Sequence, residues 1–361
     1  MKIIISGGGS GGHIYPAIAI ANALKEKGVE DILFVGAKDK IEMDKVPKAG
    51  YPIEGLWISG FHRQRKWRNI TFPLKLVSSL WKAKKIIDKF KPDVVVGVGG
   101  FASGPVLKLA QMKNIPTLIQ EQNSYPGITN KLLAKNATRI CVAYDNMTNY
   151  FEKEKIRITG NPVRKDLLNL DGLKNEAISY FDLDQNKKTL LIFGGSLGAR
   201  SINEAIAHQS ELIQNLKDVQ LLWQVGKIYY DEYKDSSISS LTNVKILPFI
   251  DRMDLAYSAA DVIICRAGAL TISEISLVGK PSVFVPSPNV AEDHQTKNAQ
   301  ALTDKNAAVL VADKDANEKM LPRAVELLND IESQKSLREN LLKLGKPDAR
   351  DIIAEEILKL V

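Results

Sequence analysis

Short apolar runs rich in Val, Ile and Leu alternate with helix-forming segments, and this alternation most constrains the fold. Most runs lack a polar residue at every second position, which is typical of strands buried on both faces of a parallel sheet. The pattern predicts an α/β protein with doubly wound parallel sheets. The predicted strands are residues 2–6, 32–36, 94–98, 117–120 and 139–143, then 189–193, 220–225, 244–247, 262–265 and 282–285.

The two halves of the chain resemble each other, and 361 residues suit about two domains. KIIISGGGSGG resembles TLLIFGGSLGA, and VVVGVGGFASGP resembles VIICRAGALTISE. The turn-forming cluster Gly160-Asn161-Pro162 indicates a seam, which predicts domains at residues 1–162 and 163–346. Ligands of such folds lie beyond the carboxyl ends of the strands, so we expect two domains facing a cleft.

The composition excludes several classes of protein. With 45% hydrophobic and 25% charged residues the chain is neither disordered nor collagenous. Two cysteines and four histidines leave little for a disulfide framework or a structural zinc site. The segment MKIIISGGGSGGH has too short an apolar run for a signal peptide, and no later stretch suits a membrane span, which favours a cytoplasmic location.

The positive charge is concentrated in one segment. Residues 62–91 carry +9, whereas the whole chain carries +7, and this favours a local anionic partner over nucleic acid. The segment also has a helical period, with an apolar face at Leu76, Leu80, Ala83, Ile87 and Phe90. A second apolar stripe, with Lys84 and Lys85 beside it, comprises Leu74, Val77 and Trp81. These residues alone fit a membrane-surface helix and a helix buried on two sides equally well.

Four glycine-rich or small-residue loops each follow a predicted strand and precede a helix. They are residues 7–12, 99–105, 194–200 and 266–271. Glycine lets the backbone approach a ligand closely, and a helix N-terminus favours anions. One such loop is most simply a tight turn, but four at matching places indicate phosphate or sugar sites.

The first loop also fits the G-x-G-x-x-G fingerprint through Gly7, Gly9 and Gly12, so a nicotinamide-dinucleotide enzyme is an alternative. Against it, no acid ends the next predicted strand, and His13 is foreign to that fingerprint.

Other polar residues have both structural and functional interpretations. Glu274, one turn into a predicted helix, could accept ribose hydroxyls or simply favour the helix dipole. Gln295 and Asn298, one helical turn apart, could face a sugar or lie in a polar loop. The D-x-D pairs at Asp182 and Asp313 are predicted to be solvated acids.

Together the motifs resemble the MurG family of peptidoglycan glycosyltransferases. They are GGGSGGHIYPA, VGVGGFASGP, QEQNSYPGITNKLLAK, ITGNPVRKDLL, IFGGSLGARSIN, PFIDRM, CRAGALTISEI and DHQTKNAQAL, in the family's order over residues 7–302. The resemblance implies a GT-B fold of two Rossmann-like domains. It implies an N-terminal acceptor- and membrane-binding domain, with helix 347–361 packing back on it, and a C-terminal domain that binds UDP-N-acetylglucosamine.

The resemblance implies transfer of N-acetylglucosamine from UDP-N-acetylglucosamine to lipid I, giving lipid II and UDP. It implies inversion, attack by the 4-hydroxyl of the muramoyl sugar, and no essential metal or other cofactor. It also implies a peripheral protein on the cytoplasmic face of the bacterial inner membrane. The expected partners are both substrates, an anionic membrane surface and cell-wall synthesis proteins, but no nucleic acid; the processes served are cell-wall biogenesis, cell shape and cell division.

The implied site residues are assigned by motif. His13 is a candidate base or phosphate donor, and Glu121 is the alternative base. The UDP-N-acetylglucosamine site would comprise Ser10, Gly11, Gly12, Asn123, Arg164, Ser196, Ile250, Ala269, Leu270, Thr271, Ile272, Ser273, Glu274, Gln295 and Asn298. The membrane surface would comprise Phe72, Leu74, Val77, Trp81, Lys84 and Lys85.

Two residues depart from the family pattern: Gln120 stands where many members have His, and Tyr125 replaces a smaller residue. The remaining alternatives are another GT-B enzyme, such as a glycolipid transferase or a UDP-N-acetylglucosamine epimerase, and a catalytically silent membrane-bound scaffold.

Overall fold

The computed structural model describes residues 1–60 and 70–361. The chain divides into two units: unit 1 comprises Met1–Arg164 with Lys346–Val361, and unit 2 comprises Lys165–Gly345. The boundary at Arg164 lies two residues beyond the turn-forming Gly160-Asn161-Pro162 cluster.

Unit 1 contains a seven-stranded parallel sheet in the order β3-β2-β1-β4-β5-β6-β7. Its strands are β1 (Lys2–Ser6), β2 (Asp31–Ala37), β3 (Ile53–Leu56), β4 (Val94–Gly97), β5 (Thr117–Glu121), β6 (Arg139–Val142) and β7 (Ile156–Ile158). Its helices are α1 (Gly11–Glu26), α2 (Glu42–Lys48), α3 (Phe72–Phe90), α4 (Ser103–Met112), α5 (Ile128–Ala134) and, from the end of the chain, α15 (Ala349–Leu358).

Unit 2 contains a six-stranded parallel sheet in the order β10-β9-β8-β11-β12-β13. Its strands are β8 (Lys188–Phe193), β9 (Val219–Gln224), β10 (Val244–Leu247), β11 (Val262–Cys265), β12 (Ser282–Phe284) and β13 (Val309–Leu310). Its helices are α6 (Lys174–Phe181), α7 (Arg200–His208), α8 (Ser210–Asn215), α9 (Tyr230–Tyr233), α10 (Met253–Ala259), α11 (Ala269–Val278), α12 (His294–Thr303), α13 (Leu321–Asn329) and α14 (Ile331–Leu344).

Alternate residues of the central strands pack into separate cores on the two faces of each sheet. Ile3 and Ile5 of β1 join one cluster, whereas Ile4 joins the other. Leu190 and Leu191 of β8 divide in the same way. This two-sided burial is why the central strands are largely apolar, and it confirms the predicted doubly wound α/β fold.

Three strands were not predicted, and all of them lie at sheet edges: β3, β7 and β13. Each is at most four residues long and only partly buried. An edge strand needs no continuous apolar run, so its sequence carries little signal.

The end of the chain packs on the beginning. Ile353, Ala354 and Ile357 of α15 are buried in the core cluster that α1 also lines. Arg350 pairs with Glu26 of α1 at 2.5 Å. Helix α15 therefore completes unit 1 although unit 2 precedes it in the sequence.

Helix α3 has the two predicted faces. Ala83 and Ile87 are buried, and Leu76 and Phe90 pack partly against the same core. The basic segment 62–91 begins in residues 62–69, which lie outside the described ranges. No helix in the described ranges is both long and apolar enough to span a bilayer.

Candidate functional site

The four predicted loops lie at the point of each sheet where the strand order reverses. In unit 1, β1 pairs with both β2 and β4, so the loops after β1 and β4 are neighbours. In unit 2, β8 pairs with both β9 and β11, which brings together the loops after β8 and β11. The crevice at such a switch point is where open α/β sheets bind ligands.

The backbones of the two unit 1 loops approach each other closely. Gly100 has a φ of +82°, and a Cβ there would overlap the carbonyl oxygen of Gly8. His13 lies against the second loop, since a Cβ on Gly99 would lie 2.9 Å from its Cδ2 atom. Ser10 Oγ and His13 Nδ1 are 3.1 Å apart. Ser10, Gly11, Gly12 and His13 thus meet at the start of α1, beside both loops.

Glu121 shapes the loop that follows β5. Its side chain is 1% exposed. One carboxylate oxygen accepts hydrogen bonds from Asn123 N (3.0 Å) and Asn123 Nδ2 (3.2 Å). The other accepts from Gly127 N (3.1 Å) and Asn130 Nδ2 (2.8 Å). The carboxylate therefore holds Asn123 in place, and its acceptor capacity is largely used by this loop.

Gln120, the residue that departs from the family pattern, belongs to a buried amide network. Its Nε2 donates to Asn161 Oδ1 at 3.0 Å, and its Oε1 accepts from Gln122 Nε2. Gln122 Nε2 also donates to the carbonyl of Val98, at 2.8 Å. These amides join β5 to the loop after β4 and to the segment that leads to Arg164, which is half-buried.

Tyr125, the second departure, packs against other side chains of unit 1. Its ring meets that of Tyr150 edge-on at 5.2 Å between centroids. The ammonium of Lys131 lies 3.8 Å from the centroid of Tyr125. The larger residue thus fills space between the loop after β5 and the segment after β6.

In unit 2, Gln224 connects the loop after β8 to Ile250. Its Nε2 donates to the carbonyl of Gly195 at 2.7 Å, and its Oε1 accepts from Ile250 N at 3.3 Å. Ser196 is exposed on this loop, and the side chain of Ile250 is buried. Nothing near Gln224 in the sequence indicates this bridging role, and it was not predicted.

The loop after β11 leads directly into α11, which begins at Ala269 after Gly268. The first N–H groups of a helix lack acceptors within it, so this end is suited to an anion. Leu270, Thr271, Ser273 and Glu274 are half-buried here, whereas Ala269 and Ile272 are buried.

Glu274 is held in orientation by a residue that the sequence did not indicate. The buried hydroxyl of Tyr257, on α10, donates to Glu274 Oε2 at 2.9 Å.

Gln295 and Asn298 both lie on α12 but differ in exposure. Gln295 is half-buried, and its Oε1 accepts a hydrogen bond from Ser287 N at 2.8 Å. Asn298 is fully buried. The predicted one-turn spacing is observed, and Gln295 also fixes the loop after β12.

The prediction that Asp313 is a solvated acid was wrong. Its carboxylate accepts from Arg266 Nη1 at 2.5 Å and from Ser201 Oγ at 2.6 Å. Arg266 also donates to the carbonyls of Val285 and Pro286. Arg266, which lies 47 residues earlier in the sequence, supplies the counter-ion. The polar residues around Asp313 give no indication of this long-range ion pair.

The cysteines have no features of reactive nucleophiles. Burial raises the pKa of the Cys141 thiol to about 12 and that of Cys265 well above its usual range. Both thiols are therefore neutral at pH 7 and act as apolar core residues.

The apolar stripe of α3 is exposed, and it extends further than predicted. Leu74, Val77 and Trp81 are 66%, 65% and 62% exposed, and Ile70, which was not predicted, is 78% exposed. Phe72 is half-buried, so it lies off this stripe. The ammonium of Lys85 lies 3.4 Å from the centroid of the Trp81 ring, and Lys84 pairs with Asp88 at 3.1 Å. We call Ile70, Leu74, Val77 and Trp81 the α3 stripe.

Comparisons with known proteins agree with this arrangement. Residues 3–142 match the glycosyltransferase family 28 N-terminal domain, and residues 189–353 match the glycosyltransferase family 28 C-terminal domain. The chain is similar in fold to the crystal structure of MurG from Acinetobacter baumannii, with a TM-score of 0.77 and 28% identity over 99% of this chain and 100% of that one. A UDP-GlcNAc 2-epimerase from Neisseria meningitidis, solved with UDP-GlcNAc bound, shares the fold at a TM-score of 0.69 and 17% identity, over 99% of this chain and all of that one.

Curated relatives are closer in sequence. A protein of Flavobacterium psychrophilum is 56% identical over all of this chain and 98% of its own length. One from Bacteroides fragilis is 53% identical over all of this chain and 96% of its own length. Both are named UDP-N-acetylglucosamine–N-acetylmuramyl-(pentapeptide) pyrophosphoryl-undecaprenol N-acetylglucosamine transferase. This chain therefore belongs to the MurG family of N-acetylglucosamine transferases.

Proposed function

We propose that this protein transfers N-acetylglucosamine from UDP-N-acetylglucosamine to lipid I, the undecaprenyl-diphosphate-linked muramoyl pentapeptide, and releases lipid II and UDP. The observation that carries the proposal is the 56% sequence identity, over all of this chain, to a protein that is named as this N-acetylglucosamine transferase. The position of all four motif-bearing loops at the two switch points supports it, because ligands of this fold bind there.

Unit 2 is proposed to bind the donor. The N-terminus of α11 would hold the diphosphate together with Ser196, and Glu274 would accept the ribose hydroxyls. The backbone of Ile250 would contact the uracil, and the half-buried Gln295 would read the sugar hydroxyls. Asn298 is fully buried and is therefore not proposed to contact the sugar. The hydrogen bond from Tyr257 supports the role of Glu274, because it orients the carboxylate before the nucleotide arrives.

Unit 1 is proposed to bind the acceptor and to contribute Ser10, Gly11, Gly12 and Asn123 to the sugar end of the donor. The 4-hydroxyl of the muramoyl sugar would attack the anomeric carbon with inversion, and the bond to UDP would break. The developing charge on the diphosphate would be stabilised by N–H groups and Arg164, so the proposal requires no bound metal.

His13 is proposed as the base that takes the proton from the attacking hydroxyl. Imidazole is the side chain best suited to general base catalysis at neutral pH, and Nδ1 of His13 is oriented by Ser10. Glu121 remains the alternative base. The four donors already bonded to the Glu121 carboxylate support His13 over it.

The α3 stripe, with Lys84 and Lys85, is proposed to bind an anionic membrane surface. Three exposed apolar side chains on one face of α3, with exposed Ile70 just before the helix and lysines at the far end, suit the headgroup region of a bilayer. The protein would then act peripherally on the cytoplasmic face of the bacterial inner membrane, beside other cell-wall synthesis proteins.

The test is release of UDP from UDP-N-acetylglucosamine, measured with and without a short-chain lipid I analogue. We expect release only when both are present and little release from UDP-glucose. Donor binding without release would contradict the proposed acceptor. Release from UDP-N-acetylglucosamine without acceptor would indicate a hydrolase, since an epimerase that keeps the sugar on UDP releases no UDP.

A further inference from the structure

A fully buried carboxylate lies beneath the first glycine loop. Glu42 is the first residue of α2 and is 0% exposed. Its Oε1 accepts hydrogen bonds from Gly9 N at 3.1 Å and from Ala37 N at 2.9 Å. Its Oε2 lies 3.0 Å from the same Gly9 nitrogen. One side chain therefore ties the loop after β1 to the end of β2.

The surrounding chain leaves room for this side chain by having no side chains of its own. A Cβ on Gly8 would overlap the Glu42 carboxylate, and Gly8 has a φ of +140°. A Cβ on Gly36 would lie 2.5 Å from Glu42 Cγ. The path of Glu42 thus accounts for the glycines at positions 8 and 36.

Pairing with Glu42 changes what the loop can bind. In a dinucleotide site, glycine-loop N–H groups face a pyrophosphate. Here the Gly9 N–H already has a carboxylate acceptor, and a negative charge beneath the loop would repel an anion at that point. Contact with a substrate passes to the following residues, Ser10 to His13, at the start of α1.

We propose that Glu42 is a positioning residue for the transfer reaction. Its carboxylate fixes the backbone of Gly8 and Gly9 and thereby sets where α1 begins and where Ser10 and His13 lie. The kinetic part of this inference rests on the proposed function. The structural part, that Glu42 holds the loop, does not.

Three substitutions of Glu42 distinguish a requirement for its acceptor oxygen from a requirement for its negative charge. Glu42→Gln keeps the Oε1 atom that serves both N–H groups, so we expect kcat within about threefold of the parent protein. Glu42→Asp is one methylene too short, and Glu42→Ala has no acceptor, so we expect kcat to fall roughly 10- to 100-fold in both. The dissociation constant of UDP, proposed to be held by unit 2, should stay unchanged.

A double-mutant cycle tests the same contact from the other side. Gly36→Ala does not touch the glycine loop, but its methyl group would displace Glu42, so we expect a loss of kcat similar to that of Glu42→Asp. In the Glu42→Ala background the Cγ atom that the new methyl group would displace is absent, so Gly36→Ala should then lower kcat by less than about twofold. Independent, additive effects would overturn the proposal.

A matched control and a readout without catalysis complete the design. Glu356→Gln alters another buried glutamate of unit 1, far from the loop in sequence, and should leave kcat unchanged while lowering the melting temperature. Amide hydrogen exchange at Gly9 and Ala37 should accelerate in Glu42→Asp and Glu42→Ala. If amide exchange at Gly9 and Ala37 in these variants is as slow as in the parent protein, the inference is wrong, even where the enzyme is active. If exchange accelerates but the parent transfers no sugar, the proposed function has failed instead.

Discussion

The hydroxyl of Tyr257 donates to Glu274 Oε2 across 2.9 Å, joining α10 to the first turns of α11. The Tyr257 side chain is fully buried, and its hydroxyl fixes one carboxylate oxygen of the half-buried Glu274. The orientation of Glu274 is therefore set by unit 2 itself before any ligand binds.

We predict that Tyr257→Phe weakens UDP binding about fivefold, because a freed carboxylate must be ordered when the ribose binds. Binding of 2′-deoxy-UDP should weaken less if Glu274 accepts the ribose hydroxyls. Calorimetric titration of both nucleotides measures this. Tyr233→Phe is the control, since Tyr233 is also buried in unit 2 but packs against Trp223 in the other core cluster. An equal loss of affinity for UDP and 2′-deoxy-UDP would contradict the proposal that Glu274 accepts the ribose hydroxyls.

His13→Ala should lower kcat at saturating substrates by roughly 10²–10⁴-fold if the imidazole takes the proton from the acceptor. Ser10→Ala, which removes the partner at 3.1 Å, should lower kcat several-fold and leave UDP affinity unchanged. Steady-state kinetics over pH 5–9 would show the acidic limb of the profile disappear in His13→Ala. Unchanged turnover in that variant would exclude His13 as the base, and a raised KM for the donor alone would assign it to phosphate binding.

Trp81→Glu should abolish most binding to anionic vesicles, because it places a negative charge at the end of the α3 stripe, beside Lys85. Replacing Lys84 and Lys85 by Glu should weaken binding at least 10-fold, since each lysine near an anionic leaflet contributes about 1 kcal/mol. Vesicle sedimentation at low and high salt measures both. Ile331→Glu, a change of a similarly exposed residue on unit 2, should have no effect. Equal binding by all variants would reject the α3 stripe as the membrane surface.

We predict that α15 packs less stably on unit 1 at acidic pH, because of the carboxyl group of Glu356. Burial raises the pKa of its carboxyl, but the hydrogen bond from Lys359 and the charges of Arg139 and Arg157 outweigh burial, so the net pKa is lowered. A lowered folded pKa gives stability that is present above the unfolded pKa of about 4.3 and is lost as pH falls through the folded value.

Glu356→Gln should therefore lower the free energy of unfolding by about 1–2 kcal/mol at pH 7, with less effect near pH 3. Urea denaturation at both pH values measures the difference. A loss that is independent of pH would show that packing, rather than ionisation of Glu356, holds the helix.

The sequence by itself determined the local features. Continuous apolar runs gave β1 and β11 at their observed bounds, because a strand buried on both faces has few polar residues. The four loops were recognisable because glycine is required where two backbones meet, and the helical period separated the buried and exposed faces of α3.

Only the tertiary structure decided which of these local features meet. Strand order placed the loops after β1 and β4 side by side although about 90 residues separate them. It also brought Glu42 to Gly9, Tyr257 to Glu274 and Arg266 to Asp313, pairs separated by 33, 17 and 47 residues. A hydrogen bond between distant residues leaves no periodicity in the sequence. A buried Glu, an amphipathic Tyr and a polar Asp are each compatible with several environments, and only strand pairing fixes which one applies.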